Sequence, residues 1–332
     1  MPDFRLGLSC MNWKSHARHL ETTMTRPITV SAVQITAVDG EKEATIEKMM
    51  RFLDVAGERG SELVVLPEVW TGLGYSSKVA HRSIAEEIPG PTTRLVAEKA
   101  QRYGMTIIGS MYEKVGERYY NSSPVIGPDG RISGKYWKTH LFDAPNRSDI
   151  RSGIRESDRV SAGNELPVFE TAVGPVGVSV CSDLRFPEVY RELALKGAKV
   201  IVCASAFLSP RFDHWEFFLR ARATENQCWV VASGQVGVEP KSGIAFVGRS
   251  MIVDPWGVIV ASAPDTECCI TAEIDLDYID VVKHRYPLME QRRPELYGNI
   301  GRVKAPIPRK HHARSEEARK DIALEKKSMP VD

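Results

Sequence analysis

The sequence predicts an α/β fold in which two mixed β-sheets pack face to face with helices outside them, all within a single domain. Three observations lead there. Strand and helix patterns alternate in both halves of the chain, antiparallel hairpin signals lie between them, and the strands are too apolar for a sheet with one face open to water. At 332 residues the chain has room for one large domain or two ordinary ones. No tandem repeat of about 20–50 residues marks a solenoid, so one domain over residues 27–304 is the simpler reading.

The elements follow in order. Ile28–Ile35 is a β-rich run, and Glu41–Arg59 carries helical spacing at Ile46, Met49, Met50, Leu53 and Ala56. Glu62–Leu66 is a short apolar strand stopped by Pro67, and Thr92–Tyr103 is a helix closed by Gly104. Met105–Met111, Arg118–Ile126 and Arg131–Trp137 read as strands, the last two joined by the Pro-Asp-Gly turn at 128–130. Residues 143–165 read as a polar segment. Val176–Cys181 is a strand, Phe186–Lys196 a helix and Val200–Ala204 a strand. His214–Gln227 is a helix with Trp215, Phe218, Leu219 and Arg222 at i, i+3, i+4 and i+7. Trp229–Ser233, Ala245–Asp254, Val258–Ser262 and Glu267–Ile274 complete the strands.

Both ends differ in composition. Residues 1–26 lack the apolar stretch and cleavage site of a secretory signal, and Asp3 and Glu21 count against a transit peptide. They read as a disordered extension, or as sequence preceding a true start at Met24. Residues 305–332 are dense in Lys, Arg and Glu and read as a solvated charged tail, with a short helix over Ser315–Lys327 as an option. Forty-four Lys and Arg against 43 Asp and Glu give a net charge of +1, which makes no electrostatic case for nucleic acid or an anionic membrane. The longest apolar stretch, Val173–Leu184, is broken by Pro175 and Asp183, so no membrane span is expected. Six Cys without a C-x-x-C pair fit neither a disulfide framework nor a zinc ribbon and point to a reduced, cytoplasmic setting.

Three chemically distinct residues stand where strands end: Glu68 after Leu63–Pro67, Lys138 after Tyr136-Trp137, and Cys181 after Val176–Val180. An acid, a cation and a thiol make a complete set for acyl transfer. A carboxylate can take the thiol proton, and an ammonium can stabilise the oxyanion of a tetrahedral intermediate. Each alone has a plainer reading: an inert core cysteine, a capping carboxylate, a solvated lysine.

Local sequence lifts the set. Leu66-Pro67-Glu68, then Lys135-Tyr136-Trp137-Lys138-Thr139-His140-Leu141, then Val180–Glu188 (VCSDLRFPE) resemble the three signature blocks of the nitrilase, or carbon–nitrogen hydrolase, superfamily, in the family's order. His214-Trp215, Arg220–Asn226, Asp254–Gly257 and Arg292–Tyr297 extend the likeness over about residues 27 to 300. The resemblance implies an α-β-β-α four-layer sandwich whose protomers pair as a homodimer or larger homo-oligomer. It also implies Glu68 as general base, Lys138 as transition-state cation and Cys181 as nucleophile. Glu156 matches the family's second glutamate, in preference to Glu165, with the role of orienting the lysine and the attacking water or leaving amine. No metal or organic cofactor is needed, because side chains supply thiolate, base and cation.

The implied reaction is hydrolysis of a small carboxamide to acid and ammonia through a cysteine thioester. Lys138 and the Ser182 N–H hold the oxyanion, and Arg185 is a candidate for a substrate carboxylate or for a helix-start salt bridge to Glu188 or Glu192. Asp183, two residues after the cysteine, resembles the pattern of many amidases, while Arg185–Glu188 and Lys138–Leu141 look like the Nit and ω-amidase branch, whose substrates are small amides of dicarboxylic acids. Two departures, Ser182 for the branch's usual Tyr and the Pro210–Asp213 stretch, separate this chain from a typical ω-amidase. A nitrilase or N-carbamoyl amidohydrolase with the same residues is the alternative, and a catalytically idle assembly or binding protein is the alternative of another class. Gly72-Leu73-Gly74 lacks a dinucleotide-loop context, Cys203 and Cys228 read as core residues of apolar strands, and vicinal Cys268-Cys269 should point to opposite sheet faces. Glu225 is kept as a possible supporting group behind the site.

Overall fold

Runs of Val, Ile and Leu supply two sheets whose central strands are parallel and whose outer strands are antiparallel. A computed structural model describes residues 27–74, 79–144 and 154–301. Both the N-terminal extension and the charged C-terminal tail lie outside the described residues. Residues 27–289 belong to one compact unit; residues 290–301 belong to a second and carry a 3-10 turn at Pro294–Leu296.

The first half of the chain runs β1 (Ile28–Gln34), α1 (Lys42–Glu58), β2 (Leu63–Val65), α2 (His81–Ile84), α3 (Pro91–Tyr103), β3 (Thr106–Ile108), β4 (Met111–Val115), β5 (Arg118–Ile126) and β6 (Ile132–Trp137). A small ribbon of β7 (Asp143–Ala144) and β8 (Ile154–Arg155) follows. The second half runs β9 (Val168–Thr171), β10 (Gly174–Val180), α4 (Pro187–Leu195), β11 (Val200–Ser205), α5 (Phe212–Asn226) and β12 (Trp229–Gly234). It ends with β13 (Val236–Val238), β14 (Ala245–Val247), β15 (Met251–Val253), β16 (Ile259–Ser262), β17 (Cys268–Ile274) and α6 (Tyr278–Arg285).

One sheet has the order β17-β1-β2-β3-β5-β4, with β6 on β5; the other has the order β16-β15-β12-β11-β10-β9. β1, β2 and β3 are parallel, as are β10, β11 and β12, so each sheet gathers three strand C-termini at one end. Period-two alternation explains why both faces are apolar. Val30, Ala32, Leu63 and Val65 join the core shared with β10, β11 and β12, while Val33, Val64 and Leu66 pack with Met49 and Leu53 of α1 and Val96 of α3. On the second sheet Trp215, Leu219 and Ala223 of α5 and Leu193 of α4 are fully buried, as the helical spacing predicts. Helix on sheet, sheet on sheet, and sheet on helix are the four expected layers.

Some boundaries move. Met105–Met111 is not one strand: it breaks at Gly109-Ser110 into β3 and β4, which share one edge of β5 while β6 takes the other. A Cβ at Gly109 would meet Leu66 Cβ at 2.4 Å, so the chain passes too close to β2 there for a larger residue. Ala245–Asp254 likewise divides, because Gly248 and Arg249 both adopt positive φ. The strand expected over Val176–Cys181 runs Gly174–Val180, since Cys181 leaves it to open a 3-10 turn. The polar segment 143–165 contains the β7–β8 ribbon, and α2, α6, β9 and β13 are too short or too polar to announce themselves by periodicity. Cys228 is buried as expected but sits in the turn between α5 and β12, not in a strand. Cys203 is buried within β11, and of the vicinal pair Cys269 is buried while Cys268 is half-buried.

His81, at the start of α2, is buried with neither ring nitrogen hydrogen-bonded; its ring lies edge-on to Tyr119 and tilted against Tyr112. Burial lowers its pKa below the ordinary histidine value, and Arg159 and Arg82 push the same way. The native state therefore binds fewer protons than the unfolded chain just below the unfolded pKa, and stability falls as pH drops through that range. We expect His81→Phe to flatten the decline in urea midpoint between neutral and mildly acidic pH; an unchanged slope would show that His81 contributes nothing to it.

Candidate active site

The C-terminal ends of the parallel strands, where α/β folds collect polar groups, converge on a cleft of about 430 Å³. Glu68 follows β2, Lys138 follows β6, Cys181 follows β10, and Ala206 and Phe207 follow β11. Glu156 opens the 3-10 turn after β8. All of these line the cleft, together with Ser182, Arg185, Phe142 and Leu208. The structure thus brings every sequence-predicted site residue to one place.

Lys138 is 1% exposed, and its Nζ donates at 2.7 Å to Glu68 Oε1 and at 2.7 Å to Glu156 Oε2. Burial works against the charged ammonium, but Glu156 and Glu68 overcome it and hold its pKa well above the ordinary lysine value. The carboxylates are held in turn by neutral donors. Glu68 Oε2 accepts from Ala206 N–H at 2.8 Å and Glu156 Oε2 from Phe142 N–H at 2.7 Å. The Asn121 amide reaches Glu68 Oε1 at 2.9 Å and Glu156 Oε1 at 3.0 Å. Gln235, beyond β12, clasps the backbone behind the site by donating to Glu68 O at 3.0 Å and accepting from Ala37 N–H at 2.7 Å.

Cys181 sits at φ 45°, a left-handed conformation that a non-glycine residue adopts only when its surroundings enforce it. Asp183 provides that enforcement. Its Oδ2 accepts from Val180 N–H at 2.9 Å and from Tyr136 Oη at 2.8 Å, and its Oδ1 accepts from His140 N–H at 3.0 Å and from Thr139 Oγ1 at 3.2 Å. One buried carboxylate therefore ties the turn that carries the thiol to residues on both sides of Lys138. Burial pushes the Cys181 thiol well up, the Glu68 carboxylate pushes the same way, and Lys138 and the Ser205 hydroxyl pull it back. A thiol in this setting keeps its proton until a base takes it. The carboxylate that acts on it is Glu68.

Arg185 closes another side, with its guanidinium carbon 4.6 Å from the Phe207 ring centroid and Nη1 3.5 Å from His214 Nδ1. Glu225 stays away from the cleft lining and pairs with Arg222 at 3.0 Å, whose guanidinium donates to Leu184 O. It supports the 3-10 turn from behind. Sequence reasoning missed Asn121, Gln235 and the Ala206 and Phe142 N–H groups. Backbone donors leave no mark on side-chain identity, but Asn121 left a signal: a polar amide in a strand flanked by the β-formers Tyr119-Tyr120 and Val125-Ile126. Among the described residues no cluster of three or more His, Cys, Asp or Glu side chains is arranged to hold a metal ion.

Comparison with known proteins bears on family and fold. The sequence pattern of the carbon-nitrogen hydrolase family matches residues 29–284. Omega-amidase NIT2-B of Xenopus laevis is 36% identical over 258 residues, covering 77% of this chain and 92% of that protein. Deaminated glutathione amidase of Synechocystis sp. is 35% identical over 274 residues, 80% of this chain and 98% of that protein. Among solved structures, a carbon-nitrogen hydrolase from Helicobacter pylori G27 superposes with a TM-score of 0.76 at 29% identity, covering 84% of this chain and all of that one.

The ammonium beside the thiol has a measurable consequence. Since Lys138 pulls the Cys181 pKa down, Lys138→Met should leave the thiol harder to ionise and slow its alkylation by iodoacetamide at mildly alkaline pH by about tenfold. Labelling at the wild-type rate, followed by intact-mass spectrometry, would place the ammonium outside the thiol's field.

Proposed function

This chain belongs to the carbon–nitrogen hydrolase family and is an amidase-type hydrolase of non-peptide carbon–nitrogen bonds in small molecules; we propose that it removes ammonia from a small ω-amide of a dicarboxylic acid through a thioester on Cys181. The observation that carries this reading is the convergence of Glu68, Lys138, Glu156 and Cys181 on one cleft, joined by hydrogen bonds that leave the thiol beside a carboxylate.

In the proposed reaction Glu68 takes the Sγ proton as the sulfur attacks the amide carbonyl carbon. The carbonyl π bond becomes an oxyanion held by Lys138 and the Ser182 N–H. Collapse of the intermediate breaks the C–N bond, and the proton on Glu68 goes to the leaving nitrogen, releasing ammonia. A water molecule then gives a proton to Glu68 and attacks the thioester. The second collapse expels the sulfur, which recovers its proton from Glu68 as the acid departs. Glu156 keeps Lys138 aimed throughout. Because Lys138 is locked between two carboxylates, it acts as a fixed cation and exchanges no proton. The sequence of steps is ping-pong, with ammonia leaving first.

The preference for an ω-amide rests on Arg185. Among the described residues Arg185 lines the cleft beside Lys138, and its planar guanidinium suits a carboxylate at the far end of a short substrate. The Xenopus laevis relative is named an omega-amidase, in keeping with such a substrate. We further propose that the protein works as a homodimer or larger homo-oligomer. Phe212 and Phe217 on α5 are 61% and 66% exposed and Leu195 on α4 is 50% exposed, large apolar side chains that a second copy would cover. The proposed setting is the cytoplasm, in keeping with the described cysteines being free thiols; no helix among the described residues is long and apolar enough to cross a membrane.

Ammonia release from a monoamide of a dicarboxylic acid, against a neutral amide of equal length, tests the substrate. Wild-type protein should favour the acidic substrate. Arg185→Leu should lose about tenfold or more in kcat/KM on it while leaving the neutral amide within a factor of about two. Cys181→Ala should abolish turnover on both; residual activity after removal of host amidases would refute the thioester. Light scattering at micromolar protein should report at least a dimer, and a stable monomer would end the assembly proposal.

A further inference from the structure

The site holds two buried carboxylates and one ammonium in direct contact, and a further residue touches both carboxylates. Asn121 lies on β5, 1% exposed, and its backbone carbonyl accepts the Lys138 N–H at 2.9 Å, so it stands directly beside the end of β6 that delivers the lysine. Its Nδ2 spends one hydrogen on Glu68 Oε1 at 2.9 Å and the other on Glu156 Oε1 at 3.0 Å. Its Oδ1 is buried and has no hydrogen-bond partner. The opposite amide orientation would set that oxygen against both carboxylates, so chemistry fixes the flip. An asparagine that merely filled a polar slot would pair its carbonyl and be content with one acceptor. Here the fold tolerates an unpaired carbonyl so that both N–H groups reach the glutamates.

We propose that Asn121 is a positioning residue that couples Glu68 to Glu156 and keeps Glu68 charged and aimed at the thiol; this deepens, and rests on, the amidase reading above. The logic is one of charge. Lys138 alone leaves the cluster one negative charge in excess, and a second cation on Glu68 would weaken it as a base. A neutral amide satisfies the remaining lone pairs and stabilises the carboxylate form without adding charge. Among the described residues, the other ionisable groups around the cluster are engaged elsewhere or line the cleft. Tyr112, paired with Asn121 across β4 and β5, is held neutral, chiefly by burial, and donates to Leu73 O at 2.9 Å. Arg159 donates to Gly74 O at 3.0 Å, and Arg185 and Cys181 line the cleft.

The test uses the full chain with Asn121→Leu, which removes both donors, and Asn121→Asp, which keeps the shape and replaces donors by acceptors. Two readouts are taken from about pH 5 to 9. One is the rate of Cys181 alkylation by iodoacetamide, which needs no turnover; the other is amide hydrolysis. In each, the acidic limb marks the protonation that switches the site off. A carboxylate deprived of its donor holds that proton more tightly, so the limb should move to higher pH by about one unit in the Leu variant and further in the Asp variant. kcat should fall about 10- to 100-fold with KM within about twofold.

Limbs that coincide with wild type in both variants overturn the proposal, even if activity falls, because a purely structural role lowers the rate without moving the limb. If the Leu variant does not fold, the near-isosteric Asp variant decides alone. A shifted alkylation limb in a protein that releases no ammonia from any amide supports the role of Asn121 and refutes the amidase reading, so the two failures are distinguishable.

Discussion

One ammonium shared between two buried carboxylates organises this structure. Lys138 could not stay charged at 1% exposure without Glu68 and Glu156, and each glutamate in turn accepts both from the lysine and from a backbone N–H. Removing one partner of such a buried pair strands the other charge, a loss of about 3–5 kcal/mol. That is a large share of the stability of an ordinary domain. A fold that accepts this exposure to damage at its centre does so for chemistry, since a well-packed apolar trio would hold the strands together at least as well.

The second constraint is geometric. The thiol and the ammonium come from different sheets, Cys181 from the end of β10 and Lys138 from the end of β6, and nothing in either sheet's hydrogen bonding sets their separation. Asp183 does so by binding Val180 on one side and Tyr136, Thr139 and His140 on the other. The left-handed backbone of Cys181 is the local strain that this staple sustains. Gln235 and the Ala206 N–H perform the same service for Glu68 from the second sheet.

Much of this was legible in the sequence, for identifiable reasons. Strands buried on both faces read as continuous apolar runs, and α5 showed its buried stripe through Trp215 and Leu219, so layers and order followed from periodicity. Glu68, Lys138 and Cys181 stood out because charged or nucleophilic residues at strand ends are conspicuous, and Glu156 through family resemblance. What stayed hidden depends on tertiary neighbours. The break between β3 and β4 arises because Leu66 crowds Gly109, a contact between distant segments. β7 and β8 are two residues long, below any periodic signal. Asn121 is defined by what lies opposite it, and the N–H donors of Ala206 and Phe142 belong to residues whose side chains say nothing about hydrogen bonding.

The assembly of the site from both halves of the sandwich carries a consequence for how the protein can fail. Glu68 and Lys138 ride on one sheet, Cys181 and Ala206 on the other, and the bonds joining them tolerate only tenths of an ångström. Slippage of one sheet over its neighbour would leave every ladder and helix intact yet separate acid from thiol. Turnover is thus a more sensitive gauge of registry between the layers than any measure of secondary structure. Loosened forms of the chain, long before they melt, are silent ones.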